Sequence, residues 1–306
     1  MLIIAHGDLD GITSAFLLKK EYPEAKVVFI QPFDLVPLLK EIDEPVIIAD
    51  IGIQEQDVEF VEAKLKELMR KFQFNDPMVY DHHGTTEKIV NSGIRVVWDE
   101  STSTSMLVYL ALHAGIPKLK KIALLGAISD KMIDRRTVPR ELREISAILS
   151  AAIGFDAADN NFRHKILNNL ESIEKILPEA RRRADLARKK KEELVRLLIK
   201  QAIKCDSFLI IKTDREMMGY AGAVANTICK RTGKHVIIVF PSNIEGKVAI
   251  TSRGPNNSSW DLASLISRIA SEVGGRGGGH RRAAGGMIPA SKIGEFLSRL
   301  LREVME

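Results

Sequence analysis

Asp81-His82-His83-Gly84 is the stretch best equipped for chemistry: an acid, two adjacent imidazoles and a glycine close the apolar run Met78-Val79-Tyr80. On a strand, neighbouring side chains point to opposite faces, so two adjacent histidines rarely both serve one core. At a strand's end, where the chain turns at Gly84, both rings can look into one cleft. One is then a metal ligand and the other a partner for substrate. A histidine pair on a surface turn is the plainer alternative, and the rest of the chain separates the two. His6-Gly7-Asp8-Leu9-Asp10-Gly11 follows one apolar run, Asp50 ends another, and Asp130 closes Ala127-Ile128-Ser129 at the end of an apolar, helix-like stretch. Each acid alone reads as an N-cap or a surface residue. Crowded together, three or four carboxylates repel one another unless a cation neutralises them. Mixed carboxylate and imidazole donors suit Mn²⁺, then Mg²⁺ or another divalent ion, better than they suit a structural zinc. Two such ions bridged by one carboxylate can activate a water and clamp a phosphoryl group.

These groups converge only if the strands that carry them lie side by side. Short apolar runs at 2–5, 26–30, 45–49, 78–80 and 94–98 alternate with helix-like stretches, among them 11–20 and 57–72. Such alternation predicts an α/β fold with a doubly wound, mostly parallel sheet covered by helices on both faces. In an open parallel sheet, ligands bind beyond the carboxyl ends of the strands, where these acids stand. The cluster Ser101-Thr102-Ser103-Thr104-Ser105 precedes an apolar-periodic helix and reads as its N-cap, with anion binding as the alternative. Residues 159–204 look helical, charged and glycine-free, a linker of one or two helices with Pro178 starting the longer one. Strand-like runs at 207–211, 235–240 and 247–252 then begin a smaller α/β domain, so the expected domains are 1–158, the linker 159–204, and 205–306.

Composition narrows the function classes. The 306 residues are neither polar enough for disorder nor apolar enough over roughly 20 consecutive residues to span a bilayer, and the start lacks the basic opening of a signal peptide. Cys205 and Cys229 form no CxxC, which argues against a disulfide framework or thiolate metal site and fits a reducing cytoplasm. The net charge of +5 is mild, but Arg181-Arg182-Arg183, Arg188-Lys189-Lys190-Lys191 and the arginines from 276 to 282 gather cations in the second half. That suits a polyanionic partner, although a solvated basic helix face explains any one such run.

The chain resembles the DHH phosphoesterase superfamily over nearly its whole length. His6-x-Asp8-x-Asp10-Gly11, Ala49-Asp50, Asp81-His82-His83 and Ser129-Asp130 match the four motifs in order. Gly277-Gly278-Gly279-His280 with Ala283-Ala284-Gly285-Gly286 resembles the signature of the DHH-associated C-terminal domain. The resemblance implies a two-metal catalytic site. His6, Asp8 and Asp50 would hold one ion; Asp10, Asp50, His82 and Asp130 would hold the other, with Asp50 bridging. Asp81 would orient His82 or its neighbours, and His83 would contact the scissile phosphate. In the second domain Arg253, His280 and the backbone of Gly277, Gly278 and Gly279 would grip the substrate's far nucleotide.

Within the superfamily, the length matches compact enzymes (nanoRNases) that degrade short single-stranded RNA or DNA, some of which also dephosphorylate 3′-phosphoadenosine 5′-phosphate. The tight His6-x-Asp8-x-Asp10 spacing departs from the longer first motif of those enzymes and resembles RecJ-type exonucleases. Cyclic dinucleotide hydrolysis is a further alternative. A non-catalytic role in replication complexes is a distant one, because every motif residue is present. The expected protein is cytoplasmic, free of the membrane, and a monomer or homodimer.

Overall fold

The computed structural model describes residues 1–156, 158–217 and 219–305. Five short strands, β1 (Leu2–His6), β2 (Lys26–Ile30), β3 (Val46–Ala49), β4 (Val79–Asp81) and β5 (Val96–Trp98), form a sheet in the order β2-β1-β3-β4-β5. Every pairing is parallel. The central strands are apolar on both faces because both faces are covered. Ile3, Ala5, Ile47, Ala49 and Tyr80 pack on one side, with helices α1 (Leu9–Glu21), α4 (Thr104–Leu112), α5 (Pro117–Ser129), α6 (Arg140–Ile153) and α7 (Asn160–Asn169). Leu2, Ile4, Val46, Ile48 and Val79 pack on the other, with α2 (Leu35–Glu41) and α3 (Val58–Phe72). The expected doubly wound α/β architecture is the observed one.

The chain packs as two compact units. The first holds Met1–Ile153 and the segment up to Ala184; the second holds Gly154–Asp156 and Asp185–Glu306. The stretch 159–204, expected as a linker, is therefore divided between them. Helix α7 and the opening turns of α8 (Leu177–Gln201) pack in the first unit, through Phe162, Ile166 and Ala180. The remainder of α8 packs in the second, through Leu194, Val195 and Leu198.

In the second unit β6 (Ile203–Lys204), β7 (Phe208–Lys212), β8 (His235–Pro241), β9 (Lys247–Arg253), β10 (Arg276–His280) and β11 (Ala283–Pro289) form one sheet in the order β10-β11-β9-β8-β7-β6. Only β7 and β8 pair in parallel. Helix α9 (Ala221–Thr232) and the end of α8 cover one face; α10 (Leu262–Glu272) and α11 (Ile293–Met305) cover the other.

The glycine tract, expected as an anion-cradling turn, is instead an edge hairpin. Gly277, Gly278 and Gly279 lie in β10, paired with Gly286, Gly285 and Ala284 of β11, and the turn itself is Arg281-Arg282. Alternation gives the three glycines different jobs. A Cβ on Gly277 would stand 2.9 Å from the carbonyl oxygen of Ile266, so this glycine admits α10 against the sheet. Gly279 has φ +133°, a conformation closed to most L side chains, and a Cβ there would meet the Ala283 carbonyl oxygen at 2.5 Å. Only Gly278 faces open space. Gly277→Ala is therefore expected to destabilise the protein by about 1–3 kcal/mol through overpacking. Gly278→Ala should unfold at the wild-type denaturant midpoint or above. Equal midpoints for the two variants would overturn this division.

Candidate metal centre and nucleotide face

The carboxyl ends of β1, β3 and β4 bring the predicted motif residues together. Asp8 caps α1, accepting from Gly11 N–H at 3.0 Å, and also lies 3.1 Å from His6 Nδ1. His6 Nδ1 is 3.8 Å from Asp50 Oδ2. On the other side of Asp50, His82 Nε2 stands 3.5 Å from Asp50 Oδ1 and 3.3 Å from Asp130 Oδ2. Donor atoms of His6, Asp8 and Asp50 fall within 4.8 Å of one another, as do those of Asp10, His82 and Asp130. A third group of the same reach, Asp50, His82 and His83, adds a histidine that the sequence reading had kept off the metal.

The acids are held in strained electrostatic conditions. Asp10 is fully buried, and burial together with the charges of Asp8 and Asp130 pushes its carboxyl up to about 7. Burial and the surrounding acids hold Asp50 well above the usual carboxylate range, whereas Asp8, despite partial desolvation, is kept below it by His6. Asp130 closes α5, placing a carboxylate at the negative end of a helix dipole. Asp50 itself has φ +61°, a left-handed conformation that Asp tolerates better than most residues. This donor set fits divalent cations: carboxylate and imidazole donors converge there, and crowded carboxylates call for a neutralising charge.

Some of the supporting residues were not legible as such. The 101–105 cluster does cap α4, through Ser103, but the anion at that helix start is Asp10. Thr104 N–H donates to Asp10 Oδ2 at 2.9 Å, Ser105 adds its own N–H and hydroxyl, and Thr104 Oγ1 donates to Asp50 at 3.1 Å. Gly126 of α5 leaves room for this knot, since a Cβ would sit 2.4 Å from Asp10 Oδ1. Buried Arg163 of α7 donates to Gly7 O at 2.7 Å and so steadies the first motif from far along the chain. No local signal marked Arg163.

Asp81 takes no place in the donor groups. It is fully buried and binds His83 Nδ1 at 2.8 Å, with Thr86 on its other oxygen. Its carboxylate therefore holds His83 in one orientation. Burial opposes the charged form of His83, but the Asp81 hydrogen bond and charge win and raise its pKa; His82, buried and beside His83, is lowered.

In the second unit Arg253 projects from the face of β9 that α9 shares, paired in register with Ala283. A Cβ on Gly222, in the first turn of α9, would lie 2.8 Å from its Nη2. The α9 N-cap, Tyr220, supplies no side-chain cap. Gly278 and Gly285 continue that sheet face, and His280 is exposed at the hairpin's end.

Residues 206–306 match the model of the DHHA1 domain. That match covers the C-terminal third of the chain. Its fold is similar to a pGpG-specific phosphodiesterase from Vibrio (TM-score 0.59, 14% identity, covering 99% of this chain and 98% of that one). It is also similar to RecJ of Thermus thermophilus in complex with Mn²⁺ (TM-score 0.65, 19% identity, 99% of this chain and 51% of that one). An alanine–tRNA ligase from Thermotoga maritima is 34% identical over 85 residues, 26% of this chain; the chain spans about a tenth of that curated relative's length. Among the described residues, no helix is long and apolar enough to cross a membrane.

The raised Asp10 carboxyl yields a pH prediction. A folded-state pKa above the ordinary 3.8 gives a stabilising contribution that is present below about pH 4 and lost as pH rises through about 7. Without added cation, the melting temperature should fall across that window. Mn²⁺ should raise it by several degrees at pH 7.5 and much less at pH 5. A cation effect larger at pH 5 would contradict the arrangement.

Proposed function

We propose that this protein is a metal-dependent phosphodiesterase that hydrolyses short single-stranded oligonucleotides, with RNA fragments of a few residues as the principal substrates. The observation that carries it is the convergence of His6, Asp8, Asp10, Asp50, His82 and Asp130, drawn from four separate segments, into two donor groups joined by Asp50. His6 and Asp8 would hold one divalent ion, Asp10, His82 and Asp130 the second, and Asp50 both. Bound there, such ions supply charge neutralisation on the phosphoryl oxygens and a lowered pKa for the attacking water. We take Mn²⁺ as the preferred ion on the mixed imidazole and carboxylate donors.

The chain's own residues do the rest. Thr104 and Ser105 hold the Asp10 carboxylate in one orientation, and Thr104 also holds Asp50. Asp81 fixes the Nδ1 edge of His83, leaving Nε2 for a non-bridging phosphoryl oxygen, and the raised pKa favours the cationic ring there. In the second unit, Arg253 binds a phosphate over the side-chain-free floor of Gly278 and Gly285, with His280 at its edge. Gly277 and Gly279 belong to the packing and the chain path of that floor, not to the grip. The likeness to a pGpG-specific enzyme favours short substrates; 3′-phosphoadenosine 5′-phosphate has the same phosphate chemistry. The tight first motif and the likeness to RecJ support a second reading, single-stranded DNA exonuclease action.

Two substitutions test this. Asp50→Asn keeps a residue that tolerates φ +61° while removing the shared charge, so the fold should persist while hydrolysis of diadenylate falls by at least two orders of magnitude. A rate within about a tenth of wild type, roughly 1.4 kcal/mol of barrier, would refute the ligand assignment. Arg253→Ala should lower kcat/KM on short oligonucleotides about ten- to a hundredfold, the loss of one charge-assisted grip, with metal content by elemental analysis unchanged. Loss of metal in that variant would rule out a purely gripping role.

A further inference from the structure

Trp98 is one of only two tryptophans in the chain, and the two are placed very differently. Trp260 sits edge-on to Phe208, ring centroids 5.0 Å apart, and packs against the core of the second unit. Trp98 ends β5, the edge strand beside β4, directly in register with Asp81. It belongs to neither apolar core of the first unit among the described residues, although its neighbours Val96 and Val97 each pack against one. Its indole is only half-buried, and Nε1–H donates to the backbone carbonyl of His83 at 2.9 Å. A large π-face is thus pinned in one orientation at the rim of the metal centre, beside the histidine assigned to the phosphate.

We propose that Trp98 is the stacking platform for the nucleobase next to the scissile phosphate, an inference that rests on the nucleotide reading of the site. A fixed indole loses little conformational freedom when a base settles on it, and stacking accepts any base because every base has a π-face. That gives a metal centre built for phosphate a means to prefer nucleotides over other phosphodiesters without reading sequence. The competing explanation is that Trp98 is only a strap on the Asp81-His82-His83 turn, acting through its hydrogen bond.

The test separates the two. In a Trp260→Phe background with Mn²⁺ present, AMP should quench Trp98 emission and ribose 5-phosphate should not. Trp98→Ala should lower kcat/KM on diadenylate roughly 5- to 150-fold and leave an abasic dinucleotide unaffected. Trp98→Phe, which keeps a π-face and loses the hydrogen bond, should recover most of the loss. Equal losses on both substrates, no recovery by Phe, or no quenching by AMP would each overturn the platform. Quenching by AMP with no diadenylate cleavage by the wild type would sink the phosphodiesterase reading and leave the platform standing.

Discussion

Mutual repulsion among Asp8, Asp10, Asp50 and Asp130 is the constraint on which the first unit depends. Like charges at such spacing oppose the folded state, and their pKa values separate in response. The remaining structure answers that repulsion. The central strands are apolar on both faces, which anchors the strand ends that carry His6, Asp50 and His82. Thr104, Ser105 and the start of α4 saturate Asp10, and Gly126 keeps the space for them. Crowded acids of this kind are relieved by a bound cation.

The two histidines of the Asp81-His82-His83 turn show how adjacent residues receive opposite properties. His82 faces the acids but is buried against a second imidazole, which favours its neutral, metal-ligating form. His83 turns its Nδ1 to a buried carboxylate and is driven toward the cation. Burial acts against charge in both; the neighbour decides the outcome.

The architecture of the first unit was readable because its strands are short apolar runs, and motif residues stand at the ends of β1, β3 and β4. Their places at the carboxyl ends of parallel strands put His6, Asp8, Asp50 and His82 near one another, and the family resemblance sorted them into ligand sets. Arg163 was invisible because its partner is a backbone carbonyl 156 positions away, and a sequence does not display carbonyls. Thr104 and Ser105 were seen as a cap, but that their bound anion is a side chain of the same protein is a tertiary fact. The glycine hairpin was misjudged for a different reason. Glycine has poor strand propensity, and only the closeness of Ile266 and the pairing with β11 make an extended conformation the favourable one.

That hairpin also bears on solubility. β10 is the outermost strand of its sheet, and three consecutive glycines leave its backbone donors and acceptors with little side-chain cover. Such an edge invites a second chain to add to it. Arg276 and His280 bracket the glycines, and Arg281 and Arg282 turn the corner. An antiparallel copy docking on this edge would set Arg276 of each molecule beside the Arg281-Arg282 corner of the other. The charge that suits the strand to a polyanion is thus also what keeps one molecule's edge from another's.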